Sequence, residues 1–328
     1  MRFKLSIGVK KGNGYINPNA IFWSDLSMNP SRSPTAPASA TALLAAAVDY
    51  AGLFPPAALD MRQAVAEYAA ARAGGDAWLL GRFVTPAARL PEFVRERTAL
   101  PGTLPVWPVS AIVGAESGTD LTAIAATNAS ASGHSRVDAL ECQPASLDGI
   151  DWLADRAGAC EVFVEIPAGA DVAAWMARIA ARRLGAKIRT GGVTAAAFPS
   201  AADVVAFLDA ATRAGVRFKA TAGLHHAVRG AYRLTYEPAA PQATMFGYLN
   251  VLLAAASLRA GHPTAIAEQV LLRDDTTSLT FADDAVRWGA LAFPTALVSA
   301  TRASLAGFGS CSFREPADEL RPLAAVYP

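Results

Sequence analysis

Two lysines carry the chemistry that this chain's residue types and spacing suggest. Lys187 opens Lys187-Ile-Arg-Thr-Gly-Gly192, and Lys219 is second in Phe218-Lys-Ala-Thr-Ala-Gly-Leu-His-His226, with one amphipathic helix's worth of residues between them. That reads as strand, helix, strand, with an amine on each strand. Side chains two apart on a strand share a face, so Lys187, Arg189 and Gly191 point one way, as do Lys219, Thr221, Gly223 and His225. Cations facing one cavity are costly unless an anion or a reaction requires them. The reaction that needs two close amines is imine formation. A lysine attacks a carbonyl only when neutral, and a second cation nearby lowers its pKa. Glu141 or Asp49 would then move protons as the carbinolamine dehydrates and as a carbon-carbon bond breaks or forms.

The elements that must hold these groups alternate from residue 41 onward. Strand-like runs fall at 49–54, 77–84, 104–113, 137–142, 161–166, 186–190, 217–221 and 306–313, and helical patterns separate the first seven. Asp60 and Ser200 stand as N-caps, Ser200 with Asp203 three residues on, and Gly185 stands as a stop for a helix over 171–184. Regularity breaks after 221. Residues 224–243 read as a polar loop, and 244–260, 264–272 and 283–304 read as helices inserted before the last strand. The expected fold is therefore an eightfold β/α (TIM) barrel, one domain over 41–328, with a helical insertion at about 244–304 between strands seven and eight. The rival, an open doubly wound sheet, lacks a glycine fingerprint after its first strand. A deletion of residues 244–300 is expected to cost solubility or assembly, the insertion packing beside the active-site mouth or forming a subunit interface.

The composition of the 328 residues, 52% hydrophobic and 17% charged with net charge +1, supports a large core and argues against a polyanion-binding surface. No nucleic-acid partner is expected. Cys142, Cys160 and Cys311 are widely spaced, with only four histidines beside them, so neither a disulfide framework nor a zinc site is expected. The longest apolar run, 251–258, is too short for a membrane span, and the N-terminus lacks a signal-peptide pattern. A cytoplasmic location is the expectation. Residues 1–40, rich in Asn, Ser, Pro and Gly, read as a poorly ordered leader, and Met28 is an alternative start.

In such a barrel the site lies at the C-terminal strand ends, which here supply Asp49, Arg82, Glu141, Glu165, Lys187, Arg189, Lys219, His225 and Ser310. A carboxylate or arginine on a barrel rim is as often a salt-bridge partner as a reacting group. Adjacent His225 and His226 face opposite ways and do not share a metal ion. One is read as a substrate contact or acid/base group and the other as packing. Cys311 reads first as a small buried cysteine and second as a reactive one.

These motifs, spread over residues 45–313, resemble the deoxyribose-phosphate aldolases, class I aldolases on an eightfold barrel. Lys187-Ile-Arg-Thr-Gly191 looks like that family's strand-six motif, which implies Lys187 as the Schiff-base lysine, and Phe218-Lys-Ala-Thr-Ala-Gly223 looks like its strand-seven motif, which implies Lys219 as the residue that tunes it. Arg82-Phe-Val-Thr-Pro-Ala-Ala-Arg89 is similar to the segment after strand two, Val137-Asp-Ala-Leu-Glu141 to the strand-four motif with glutamate in place of a proton-shuttling aspartate, and Gly307-Phe-Gly-Ser-Cys-Ser312 to the phosphate-holding last strand. Arg189 stands where that family has a small hydroxyl residue, and His225-His226 replace its phosphate loop.

The resemblance implies a metal-independent, cofactor-free lyase. Lys187, Lys219, Glu141 and Asp49 would be catalytic. Arg82, Glu165, Arg189, Thr190, Gly191, Thr221, Gly223, His225, Arg229, Ser310 and Cys311 would contact substrate. Arg189 and Arg229 suit a carboxylate or phosphate. The expected partner is thus a small carbonyl compound, phosphorylated or carboxylated, with a homo-oligomer as the expected assembly. The alternatives are a barrel isomerase or transferase whose lysines bind phosphate as point charges, and a barrel without catalysis that serves as a binding protein.

Overall fold

The structure is a computed structural model that describes residues 36–102, 105–130 and 133–324. Eight parallel strands close into a barrel. In chain order the strands are β1 (Val48–Tyr50), β2 (Leu80–Pro86), β3 (Trp107–Val113), β4 (Ser135–Cys142), β5 (Glu161–Glu165), β6 (Gly185–Arg189), β7 (Phe218–Thr221), β8 (Gly230–Arg233), β9 (Gln242–Met245), β10 (Leu279–Phe281), β11 (Ala285–Trp288), β12 (Leu291–Pro294) and β13 (Leu305–Ser310). The barrel runs β1-β13-β7-β6-β5-β4-β3-β2. The expected eightfold β/α barrel is the fold.

The helices are α1 (Ala38–Leu44), α2 (Met61–Ala73), α3 (Leu90–Thr98), α4 (Gly118–Ala129), α5 (Leu147–Ala154), α6 (Val172–Ala181), α7 (Ala201–Ala214), α8 (Tyr248–Arg259), α9 (Thr264–Leu271), α10 (Thr295–Ser304) and α11 (Arg314–Leu323). Capping fixes where several begin. The Asp60 carboxylate accepts from Gln63 N and the Gln63 side chain accepts from Asp60 N, and Ser200 and Asp203 close the same reciprocal box at α7. The apolar faces of these helices bury the outside of the sheet. Between α2, α3 and the sheet, Tyr68, Phe83, Phe93 and Trp107 form one aromatic cluster with edge-on and tilted contacts.

Several boundaries differ from the sequence reading. Residues 1–35 of the expected leader lie outside the described residues, but 36–44 belong to the fold: α1 packs on α10 and Ala38 N donates to Asp283 Oδ1 at 2.9 Å. Gly185 is not a helix stop. It opens β6, where a side chain would collide with the Phe163 ring. The stretch 195–214 has the length and apolarity of a membrane span, yet it divides into a short turn and α7. Val204, Val205, Phe207, Leu208 and Ala211 of α7 are buried in the ring of helices.

The segment between β7 and β13 departs furthest. It is not wholly helical: β8 and β9 form a hairpin within the expected loop, and 279–294 folds into the antiparallel sheet β10-β11-β12 where a helix over 283–304 was expected. Nor is α8 an addition outside a complete barrel. It follows β7 as a ring helix packed against α7, α9 and α10, and every residue of 248–258 is buried. A helix apolar on all sides is stable only when enclosed in this way. Asn250, fully buried, ties the segment together by donating to the carbonyls of Val270 and Arg273 and accepting from Arg229 N.

Removing residues 244–300 would therefore strip a ring helix and expose the apolar faces of α7 and β13. The expected outcome is no folded protein, checked by circular dichroism of the refolded deletion. A cooperative melt from that deletion would show α8 to be dispensable.

Candidate active site

Strand register decides which side chains meet inside the barrel. Lys187 on β6 stands opposite Lys219 on β7 and opposite Glu165 on β5, while Glu141 on β4 faces the same interior. The result is a buried chain of alternating charges. Asp49 Oδ2 lies 2.6 Å from Lys219 Nζ, and Lys219 Nζ lies 2.5 Å from Glu141 Oε1. Glu141 Oε2 lies 2.8 Å from Lys187 Nζ, which is 2.9 Å from Glu165 Oε2. Five groups thus run acid, base, acid, base, acid across five strands. The Ser110 hydroxyl donates to Glu141 Oε1 at 2.7 Å, and Arg82 N donates to Asp49 Oδ1 at 2.7 Å. Asp49 fits because both neighbours are glycine: a side chain on Gly81 or Gly307 would press on its carboxylate.

The electrostatics correct one expectation. Burial alone would lower both lysine pKa values, and a second cation was expected to lower that of Lys187 further. Interleaved carboxylates outweigh burial instead: Glu141 and Glu165 raise Lys187, and Asp49 and Glu141 raise Lys219. Burial pushes Glu141 up, but Lys187 and Lys219 together hold it well below the usual carboxylate range. Both lysines therefore rest as ammonium groups.

Above this chain, at the C-terminal strand ends, opens a cavity of ≈ 210 Å³. Lys187, Lys219, Glu141, Arg189, Thr221, Gly223, His225 and Cys311 all line it, with Phe54, Pro55, Pro56, Val84, Ile112 and Val193 as apolar wall. Lys187, 5% exposed, sits beneath the cavity, and Lys219, at 0%, lies deeper. Arg189 stands exposed at the mouth and forms no ion pair among the described residues.

Other expected contacts are displaced. Arg82 points to the opposite end of the barrel, where it pairs with Asp138 at 2.8 Å and Glu161 at 3.2 Å beside Arg217. Arg229 is engaged with Leu272 O and Asp274, away from the cavity. Thr190 spends its hydroxyl on Ala222 O at 2.7 Å, and Gly191 lies under the Phe198 ring against Gly223 (φ 75°), so Thr190 and Gly191 shape the loops after β6 and β7 without lining the cavity. Glu165 acts on Lys187 rather than lining the cavity, and Ser310 reaches it only through His225.

The two histidines have different surroundings. His226 stacks on Tyr232 at 3.4 Å and pairs with Glu319, while His225 forms part of the cavity wall. Its Nδ1 lies 3.2 Å from Ser310 Oγ, 3.6 Å from Cys311 Sγ and 3.9 Å from Glu315 Oε2. Burial, with His226 beside it, pushes the His225 imidazole down to about 4. Burial also pushes the Cys311 thiol up to about 11, which leaves it protonated and argues for the small buried cysteine over the reactive one. All three cysteines are free, and among the described residues no group of three His, Cys, Asp or Glu side chains is placed to hold a metal ion.

A pH dependence follows from His225. The unfolded chain binds this proton below about 6.5 and the folded chain only near 4, so the unfolded state carries more protons in that window and stability falls as pH drops through it. The expected loss reaches ~3 kcal/mol, at about 1.4 kcal/mol per pH unit. Urea denaturation from pH 7 to 4 checks it: His225→Asn should flatten the slope, and an equal slope in the variant would assign the loss elsewhere.

Ser110, Tyr236 and Glu315 are site residues that the sequence reading missed. Ser110 hides in the apolar run of β3. Tyr236 comes from the turn of the β8-β9 hairpin, where its hydroxyl reaches Cys311 Sγ at 3.4 Å and Glu315 at 3.2 Å, a contact no local spacing reveals. No protein-family model, curated protein or solved structure matches this chain.

Proposed function

We propose that the protein is a lyase of the class I aldolase type, in which Lys187 forms an imine with a small anionic carbonyl compound. The observation that carries this reading is the placement of the Lys187 amine beneath the cavity with a carboxylate on each side. Attack requires a neutral amine, and Glu165, 2.9 Å from Lys187 Nζ, is in position to take its proton. Converting an ammonium and a ketone into an iminium and water leaves the net charge unchanged. The carboxylates that raise the Lys187 pKa therefore also stabilise the iminium, and the iminium then accepts the electron pair of the carbon-carbon bond that breaks. Lys219 holds Glu141 ionised and oriented.

The reading in which the lysines bind phosphate as free point charges is opposed by their matching: each ammonium already has two carboxylates within 2.9 Å. Among the described residues that line the cavity, Arg189 is the cation left for a substrate anion, and its guanidinium suits a bidentate grip on carboxylate or phosphate. A binding barrel blocked by Arg189 is opposed by the open cavity beside it.

Borohydride trapping with pyruvate and glyoxylate against acetone and acetaldehyde tests the preference. The anionic pair should react at lower concentration. Arg189→Gln should raise their half-saturating concentration roughly 10- to 100-fold, the equivalent of ~1.5–3 kcal/mol for one hydrogen bond to a charged group. It should leave the neutral pair within about two-fold, since they make no such bond. Equal losses for both pairs would remove Arg189 from substrate recognition.

A further inference from the structure

We propose that His225 is a catalytic base, its Nε2 taking the proton from the substrate hydroxyl whose carbon leaves as the aldehyde. This rests on the imine reading of the same site, and it follows from elimination and from a fixed tautomer.

Carbon-carbon cleavage from an iminium needs an acceptor for the hydroxyl proton on the cavity wall. The titratable groups there are Glu141, Lys187, Arg189, Lys219, His225 and Cys311. Glu141 already receives Lys187, Lys219 and Ser110. The lysines and the arginine are donors, and the buried thiol keeps its proton. That leaves the imidazole.

The tautomer comes from Ser310. Its hydroxyl donates to Ser312 O at 2.6 Å, so toward His225 Nδ1, 3.2 Å away, it presents only lone pairs. Glu315 Oε2 stands near the same nitrogen. The third neighbour, Cys311 Sγ at 3.6 Å, has Tyr236 Oη at 3.4 Å as the acceptor for its hydrogen, since Tyr236 gives its own to Glu315. Nδ1 therefore carries the hydrogen, and Nε2, which makes no hydrogen bond among the described residues, keeps its lone pair. A carboxylate or serine behind Nδ1 fixes which nitrogen works, and the low pKa keeps the imidazole unprotonated at neutral pH.

The step balances. The hydroxyl proton passes to Nε2, and the O–H pair becomes the carbonyl of the departing aldehyde. The carbon-carbon pair moves into the iminium, giving a neutral enamine on Lys187 and an imidazolium at His225. The imidazolium returns its proton to the enamine carbon, and water releases the second product.

The test uses the whole chain with two aldol probes, the adducts of acetaldehyde with itself and with pyruvate, read as aldehyde released per trapped enzyme. His225→Asn keeps a donor toward Ser310 but lacks Nε2, so cleavage should fall about 100-fold or more, the usual worth of a positioned base. Free imidazole should restore cleavage to His225→Ala, a rescue that a purely structural role would not allow. Nitrogen NMR of the ligand-free wild type should show the Nδ1–H tautomer. An Nε2–H tautomer, or undiminished cleavage in His225→Asn with trapping intact, overturns the base assignment alone. No trapping in the wild type overturns the imine reading and the base assignment with it.

Discussion

Lys187→Arg should give no borohydride-stable adduct with any carbonyl probe, although it keeps the positive charge between Glu141 and Glu165. A guanidinium stays protonated at every usable pH and forms no imine, so the loss should reach the background of the assay. Lys187→Met should behave identically in trapping but not in stability, because it leaves Glu141 and Glu165 facing each other with one fewer cation. Lys219→Arg keeps the cation that Glu141 needs and should retain part of the trapping. Lys219→Met frees Glu141 to serve Lys187 alone, which raises the Lys187 pKa and should move the rate profile to higher pH. Intact mass after reduction checks the series, and activity that survives in Lys187→Arg would make Lys187 an electrostatic group.

Glu141→Gln should be the most damaging change of a carboxylate. Among the described residues Glu141 is the one group that touches both ammonium ions, at 2.8 and 2.5 Å, and it is 1% exposed. Removing its charge leaves two buried cations close together with Asp49 and Glu165 as their remaining partners. Breaking a buried pair in this way costs about 3–5 kcal/mol. Chemical denaturation should show that loss. In the molecules that remain folded, Lys187 loses an anion that raised its pKa, so the pH profile of adduct formation should move down. A loss under about 1 kcal/mol would mean that the lysines do not depend on Glu141 for their charge.

Alternation of strand and helix signals made the barrel legible, because each parallel strand is a short apolar run with a helix behind it. The lysines were legible for the same reason: a charge inside such a run has to face an interior. What spacing within one segment does not encode is depth between strands. Asp49, Glu141 and Glu165 were each readable as strand-end carboxylates, but their interleaving with Lys219 and Lys187, which reverses the expected pKa shift, depends on register across five strands.

Arg82 shows how a boundary error becomes a site error. Residues 77–79 form a tight turn rather than strand, so β2 begins at Leu80, and Arg82 falls near its start and points to the far end of the barrel. The sheet at 279–294 escaped notice because strands of three and four residues are shorter than the alternation that would mark them, as with Leu279 and Phe281 or Val286 and Trp288. His225 and His226 do face different surroundings, but not by strand alternation: β7 ends at Thr221, and Ala222 (φ 64°) and Gly223 (φ 75°) turn the chain before them. The Ser310 hydroxyl that fixes the tautomer was visible only as a strand-end residue.

The most direct test is intact mass and peptide mapping of the wild-type chain after borohydride reduction in the presence of pyruvate. The account predicts a single adduct, heavier than the protein by the carbonyl compound less one oxygen, on the peptide that carries Lys187. Adduct on Lys219 instead would reverse the assigned roles, and aldol cleavage without any reducible adduct would contradict the imine itself.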